Sequence, residues 1–285
     1  MSLPLDPSVS AASPLRVAPA LSWRDPRFLQ LAVLFLYAIV AREIFHMDRP
    51  HAITLACCAT ALALDFTLGL IHFRVIRFPL SSLVIGLATS LLIDSRYPAV
   101  YLAAVTLAIL SKAFITYRGF HLFNPANFGV VCALILAPNI ATGMPALFGG
   151  YLAPSIVFFC LGVVTVLYAR QSLISFSWLA GFLVFAFVRA SLAGKSFLLM
   201  AMPILGPAFL LFTFHMISDP ATSPRSKRHK IMYGIVIAAL DAIFRYKQIP
   251  YGNFYALFLV SAGMPWMRDL EMQRDENFPR SAPTE

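Results

Sequence analysis

The stretch "FHLFNPANFGVVCALILAP", Phe120 to Pro138, joins two asparagines and a proline directly to an unbroken apolar run. A polar group left unpaired in hydrocarbon costs about 2–7 kcal/mol. Backbone that departs from helix at membrane depth is tolerated only where protein buries it or a watered cavity receives it. Whether this segment enters a bilayer, and why it would do so polar end first, depends on the rest of the chain.

The chain has 285 residues, 59% of them hydrophobic and 12% charged. Soluble domains carry about 25% charged residues, and no single water-soluble core could hide this much apolar side chain. The composition predicts an all-α, polytopic membrane protein. A net charge of +9 would suggest nucleic acid in a soluble protein. Without a basic helix or a Cys/His finger it reads instead as basic loops facing anionic membrane lipid, with no nucleic-acid partner. Cys57, Cys58, Cys132 and Cys160 all lie in apolar runs, and no CxxC or CxxCH motif occurs to support an iron–sulfur cluster or c-type haem. They read as small apolar helix fillers.

Apolar segments bounded by charged or Pro/Gly-rich breaks fall at roughly 28–46, 51–71, 78–95, 97–116, 123–138, 151–169, 174–191, 196–218, 231–247 and 249–267. This predicts ten membrane spans in a domain over 28–267. Residues 1–27 read as a disordered cytoplasmic tail without a signal-peptide core, and 268–285 as a second polar tail. With both termini inside, fifteen of the 22 Lys and Arg fall on the cytoplasmic side and seven opposite, the run "SPRSKRHK" (Ser223 to Lys230) contributing most. The expected location is a bacterial inner membrane.

An internal echo runs through these segments. "FPLSSLVIGLATSLLIDS" (Phe78 to Ser95) resembles "MPILGPAFLLFTFHMISD" (Met202 to Asp219), and "NPANFGVVCALIL" (Asn124 to Leu136) resembles "PYGNFYALFLV" (Pro250 to Val260). Each match displaces the chain by five spans, an odd number, so equivalent helices run in opposite directions. Two inverted five-helix repeats, about 28–138 and 151–267, are the expectation, with broken helices framing a site between them.

On that map the breaks "FPLSS", "RGFHLFNPANFG" and "SDPATSP" fall at the inner face, and "MPILGP" and "PYGNF" at the outer one. The inner group gathers Ser81, Ser82, His121, Asn124, Asn127, Ser218, Asp219, Thr222 and Ser223. Asn124 and Pro125 alone fit an ordinary helix start, with an N-cap followed by a first-turn proline. Asn127, one turn deeper beside Phe128 and Gly129, is not explained that way. "SDPATSP" reads either as a helix stop and turn or as a tight loop holding an anion or the edge of a flavin.

Ionisable residues inside spans ask for partners. Asp65 and Lys112, near the inner ends of spans two and four, are placed to pair. Asp241 is placed to meet Arg189 or, alternatively, Arg42. Such pairs serve equally as helix pins or as parts of an ion route. The histidines make no haem site: His51 and His72 would lie about 31 Å apart along one helix.

The segments "FPLSSLVIGL", "SKAFITYRGFHLFNPANFGVV" and "HMISDPATSPRSKRHKIMYG…YGNFYALFLV" resemble the flavin-carrying membrane subunits of bacterial electron-transport complexes. These are the RnfD-type subunit of the Rnf complex and its counterpart in the sodium-pumping NADH:quinone oxidoreductase. The resemblance covers roughly residues 74 to 262 and is nearest a short branch found beside enediyne biosynthesis genes. It implies a ten-helix fold of two inverted repeats, electron transfer, and bound flavin. Larger relatives hold one FMN covalently on the last Thr of an "SGAT"-type loop. Here the corresponding loop is the shorter "APNIATGMPALFGG" (Ala137 to Gly150), with Thr142-Gly143 and no Ala-Thr after the glycine, so covalent FMN is not expected. A non-covalent riboflavin or FMN on the inner side is. Phe123, Phe128, Phe212 and Phe214 would wall the ring, Asn124, Asn127, Thr222 and Ser223 would serve its polar edge, and Gly129 and Asp219 belong to the same motifs.

No nucleotide-binding loop is present, so such a chain would depend on other electron-transport subunits or a redox partner protein. Two other functions suit the same chain: an inverted-repeat channel or carrier, and a non-catalytic membrane scaffold.

Overall fold

A computed structural model describes residues 16–17, 22, 24–43, 50–76, 78–143 and 152–274. The chain is mostly helical, and each of the ten apolar segments contains a helix. In order these are α1 (Pro26–Glu43), α2 (His51–Ile71), α3 (Leu80–Leu92), α4 (Pro98–Phe114), α5 (Pro125–Leu136), α6 (Leu152–Tyr168), α7 (Ser172–Ala193), a broken segment, α10 (Lys227–Tyr246) and α11 (Gly252–Ala262). The broken segment comprises α8 (Phe197–Ala201), a 3₁₀ turn (Met202–Leu205), α9 (Pro207–Leu211) and a π-helix (Phe212–Met216). A last helix, α12 (Met264–Arg274), follows. Two-residue strands make three small pairings: β1 (Arg16–Val17) with β2 (Val75–Ile76), β3 (Ile93–Asp94) with β6 (Thr142–Gly143), and β4 (Thr116–Tyr117) with β5 (Phe120–His121).

Among the described residues, α2 and α7 are long and apolar enough to cross a membrane, and the broken segment, bent by 67°, has the length and hydropathy of a broken span or a re-entrant loop. The remaining apolar helices are shorter. Polarity is distributed as in a membrane protein. Leu55, Leu136, Val184, Phe187 and Leu198 face outward, while Asp65, Lys112, Asn127, Arg189 and Asp241 are buried. Apolar surroundings make the outward leucines free of cost and force the polar groups to find partners inside.

The 67° bend has a local cause. Pro207 has no N–H to donate, and Gly206, extended at φ −81° and ψ 138°, precedes it. The freed carbonyl of Leu205 accepts from the Ser155 hydroxyl of α6 at 2.7 Å. The π turn is held from α7. Ser175 donates to the Thr213 carbonyl at 2.7 Å and the Trp178 indole to the Thr213 hydroxyl at 2.9 Å. Side chains thus replace the backbone pairing that the wider turn loses.

α5 and α11 have 12 and 11 residues, about 18 and 16 Å of helix, roughly half of a hydrocarbon core. They meet antiparallel through their first turns. Asn127 Nδ2 donates to the Phe254 carbonyl at 3.1 Å, and Phe123 stacks on Phe258 with ring centroids 4.6 Å apart. The two segments, whose starts are expected at opposite faces, come within hydrogen-bonding reach of each other at Asn127 and Phe254. Neither helix by itself is long enough to cross a hydrocarbon core. Gly129 lets α5 lie against α4, since a Cβ there would stand 2.3 Å from the Ala104 carbonyl.

The polar stretch expected from residue 268 begins as helix. The chain stays helical through Arg274, because Asp269 is drawn to the β4–β5 turn: Tyr117 donates to its carboxylate at 2.9 Å and Arg118 pairs with it at 3.1 Å. At the other terminus, Arg16–Val17, within the expected N-terminal tail, pairs with β2.

Candidate functional site

Asn124 caps α5, its side-chain oxygen accepting from the Asn127 N–H at 3.0 Å, and Pro125 follows where its missing N–H costs nothing. The amide end of Asn124 points away from its own helix. It donates to the Met216 carbonyl at the end of the π-helix (3.3 Å) and to Asp219 Oδ2 (3.2 Å). Thr222 reaches the same carboxylate oxygen at 3.3 Å, and the Ala221 N–H donates to Asp219 Oδ1 at 3.0 Å. Ser223 donates to the Asp219 carbonyl. Asp219 is therefore the hub that ties the "SDPATSP" loop to the start of α5 across 95 residues of chain. Burial pushes its carboxyl above the ordinary carboxylate value, against the pull of Ala221, Thr222, Asn124 and the charge of Arg268.

Asn127 sits one turn deeper, 1% exposed. Its amide donates to Phe254, and its oxygen Oδ1 is buried with no partner among the described residues. Beside it Phe123, Phe128 and Phe258 form a ring cluster with centroids 4.6 to 5.8 Å apart. The structure thus brings together Phe123, Asn124, Asn127, Phe128, Asp219, Thr222 and Ser223, with Gly129 following on α5. Phe212 borders this group through Phe254, and Phe214 packs away from it. Phe212 packs edge-on to Trp178 at 5.1 Å and to Phe254, whereas Phe214 meets Phe159 and fills the space over Gly162.

Several residues at this site carry no motif that reveals them in the sequence. Phe258 completes the ring cluster from α11. Arg268 on α12 donates to the Ala221 carbonyl at 2.8 Å and lies 4.3 Å over the Phe120 ring. The Tyr233 hydroxyl lies beside Ser261 and within electrostatic reach of Asp219 and Arg268, and neither hydroxyl makes a well-formed hydrogen bond among the described residues. The only signals in the sequence are a Tyr and a Ser on otherwise apolar helix faces.

The two ion pairs resolve differently. Lys112 meets Asp65 at 3.0 Å, as the sequence suggested, and adds Ser81 and Ser82 at 2.8 and 2.9 Å. Asp241 is bound by Arg245, one turn on in its own helix, at 2.7 Å. Arg189 lies within electrostatic range of both, and the side chain of Arg42 is outside the described residues.

An interrupted helix start, an Asp-Pro loop bound to it, and buried unpartnered polar atoms against aromatic rings are now in place. Residues 144–276 match the NQR2, RnfD, RnfE family. Over those residues the match agrees with the resemblance read from the motifs. It takes in the Asp219–Ser223 loop, α10, α11 and α12, while Asn124 and Asn127 come from the part of the chain outside it. No curated protein matches the chain.

Proposed function

We propose that this chain is an integral component of a membrane electron-transport complex and holds riboflavin or FMN non-covalently beside α5 and the Asp219 loop. The observation that carries this reading is Asn127 Oδ1. A fully buried acceptor without a donor costs about 1–3 kcal/mol, and a ring N–H supplied by a ligand would relieve it. The residues suit the group: Phe123, Phe128 and Phe258 offer apolar faces, Asn127 Oδ1 offers an acceptor not yet committed, and the neighbouring Tyr233 and Ser261 hydroxyls lie beside one another. When bound, a flavin supplies one- and two-electron transfer. The protein's part is to orient the ring, exclude water, and keep Asp219 tied by Asn124 and Thr222 so that the loop holds its shape.

The reading includes ten spans in two inverted halves with both termini at the cytoplasmic side of a bacterial inner membrane. The meeting of the half-length α5 and α11 supports it, as does the repeated arrangement of a buried acid–base set near the C-terminal ends of α2 and α4 and again of α7 and α10. Clustering of Arg24, Arg170 and Lys230 at one end supports the orientation: Tyr168 donates to the Arg24 carbonyl and Lys230 to that of Arg170. Family resemblance supports dependence on partner proteins of the same complex. A carrier function is the second reading, because half-helices that meet at their starts also build solute sites.

The test is the absorption spectrum of the purified protein with extraction of any flavin. A flavin spectrum in the wild type, lost in Asn127→Leu with membrane insertion intact, is expected. An intact protein with no flavin absorbance, bound or extractable, would overturn the proposal, and substrate flux into liposomes would then favour the carrier.

A further inference from the structure

Arg189 is 8% exposed, and its Nε and Nη2 are buried without a hydrogen-bond partner among the described residues. A second guanidinium, that of Arg245, lies close enough to repel it. The two flank one buried ring, Phe182, with Cζ atoms 5.6 and 5.3 Å from its centroid. One carboxylate serves both charges. Asp241 Oδ2 is taken by Arg245 at 2.7 Å. Its Oδ1 makes no hydrogen bond among the described residues and faces the start of α11, where a Cβ on Gly252 would stand 3.1 Å away. That helix start has no side-chain cap, and Tyr251 before it is in the left-handed region at φ 60°.

Buried guanidinium donors are rarely left unmet, because removing the charge from water is repaid only by hydrogen bonds to a counter-charge. Two guanidiniums, one carboxylate and the positive end of a helix leave an excess of positive charge around the buried Asp241 carboxylate. All of these groups lie at the ends of α7 and α10 opposite to Arg170 and Lys230.

We propose that the C-terminal ends of α7 and α10 and the start of α11 form a buried anion site, with Arg189 as its principal donor, and that it takes a phosphate group. The phosphate comes either from an anionic lipid headgroup or from free inorganic phosphate. Planar, paired donation from Arg189 suits phosphate oxygens, and Arg245 and the first-turn N–H groups of α11 add attraction. Flavin binding at the Asn127 end plays no part in this site.

The experiment uses the full-length protein in a neutral detergent, followed through thermal unfolding by tryptophan fluorescence. One arm titrates sodium phosphate against sodium chloride at matched ionic strength. The other titrates short-chain phosphatidylglycerol against short-chain phosphatidylcholine. A saturable rise in the wild-type midpoint, above the matching control, is expected in at least one arm. A response to phosphatidylglycerol alone assigns the site to a lipid headgroup, and a response to inorganic phosphate as well assigns it to small anions. R189M raises the half-saturating concentration at least about tenfold, the loss of a charge-assisted contact. D241N lowers it, because the competing carboxylate is gone. Neither probe acting above its control overturns the proposal, and so does an unchanged half-saturation in both variants. If R189M cannot be recovered, D241N alone decides, and an unchanged half-saturation there overturns it.

Discussion

The end of α2 and α4 and the end of α7 and α10 pose the same problem and solve it differently. In the first, Lys112 has a carboxylate and two hydroxyls within 3.0 Å, so a 2% exposed ammonium is fully paired. In the second, two arginines share one carboxylate and Arg189 keeps two idle donors among the described residues. Location is similar in the two cases; partner count separates them, and Arg245 is more exposed than Lys112. A satisfied buried pair pins helices together, whereas an unsatisfied one is free to recognise something that arrives later.

The strongest way to break this comparison is to remove one partner from the satisfied side. Lys112→Met leaves Asp65 buried beside two serines, and a loss of about 3–5 kcal/mol is expected, read as a fall in thermal midpoint and in membrane yield. The double variant with Asp65→Leu should recover much of it. A K112M protein as stable as wild type would remove the pinning role.

Next in size is a packing test of helix starts. Gly129→Ala forces a Cβ into the Ala104 carbonyl at 2.3 Å, against about 2.7 Å to a side-chain carbon for Gly252→Ala. The first should cost about 1–3 kcal/mol and the second less, since the overlap at 2.7 Å is smaller than that at 2.3 Å. Unfolding midpoints of the two variants rank them.

Smaller again is Arg189→Met in anion-free detergent. Exchanging an unsatisfied buried charge for an apolar side chain of similar length should change stability by less than about 1 kcal/mol, or raise it. A loss as large as that of K112M would mean the two ends are equivalent after all.

The smallest effect concerns Asp219, whose folded carboxyl titrates above its ordinary value of 3.8. Between those two values the folded state holds more protons than the unfolded one, so stability falls as pH rises through that window and is level above it. Asp219→Asn should abolish the slope in midpoints measured across pH.

Much of this is legible in the sequence. Hydropathy alone bounds the ten apolar segments to within a few residues of the helices found, because lipid-facing surface demands continuous apolar runs. Asp65 and Lys112 can be paired because they lie at the same end of neighbouring segments. Asp241 is harder: its partner stands four residues away on the same helix, a spacing that looks unremarkable beside two more distant arginines. Phe212 packs against Phe254, the acceptor of the Asn127 amide, whereas Phe214 packs against Phe159 and over Gly162. Tyr233, Ser261 and Arg268 have no local pattern at all.

Composition and apolar run length by themselves determined that this chain is helical and lives in a membrane, because a bilayer tests each segment one at a time. The NPANFG and SDPATSP stretches marked where helices break for the same local reason. Only the tertiary structure decided that α5 and α11 start side by side, that Asn124 and Thr222 share one carboxylate, and that two Arg189 donors go unmatched. Those outcomes depend on which groups from distant parts of the chain occupy the same few ångströms, and no run of neighbouring residues encodes that.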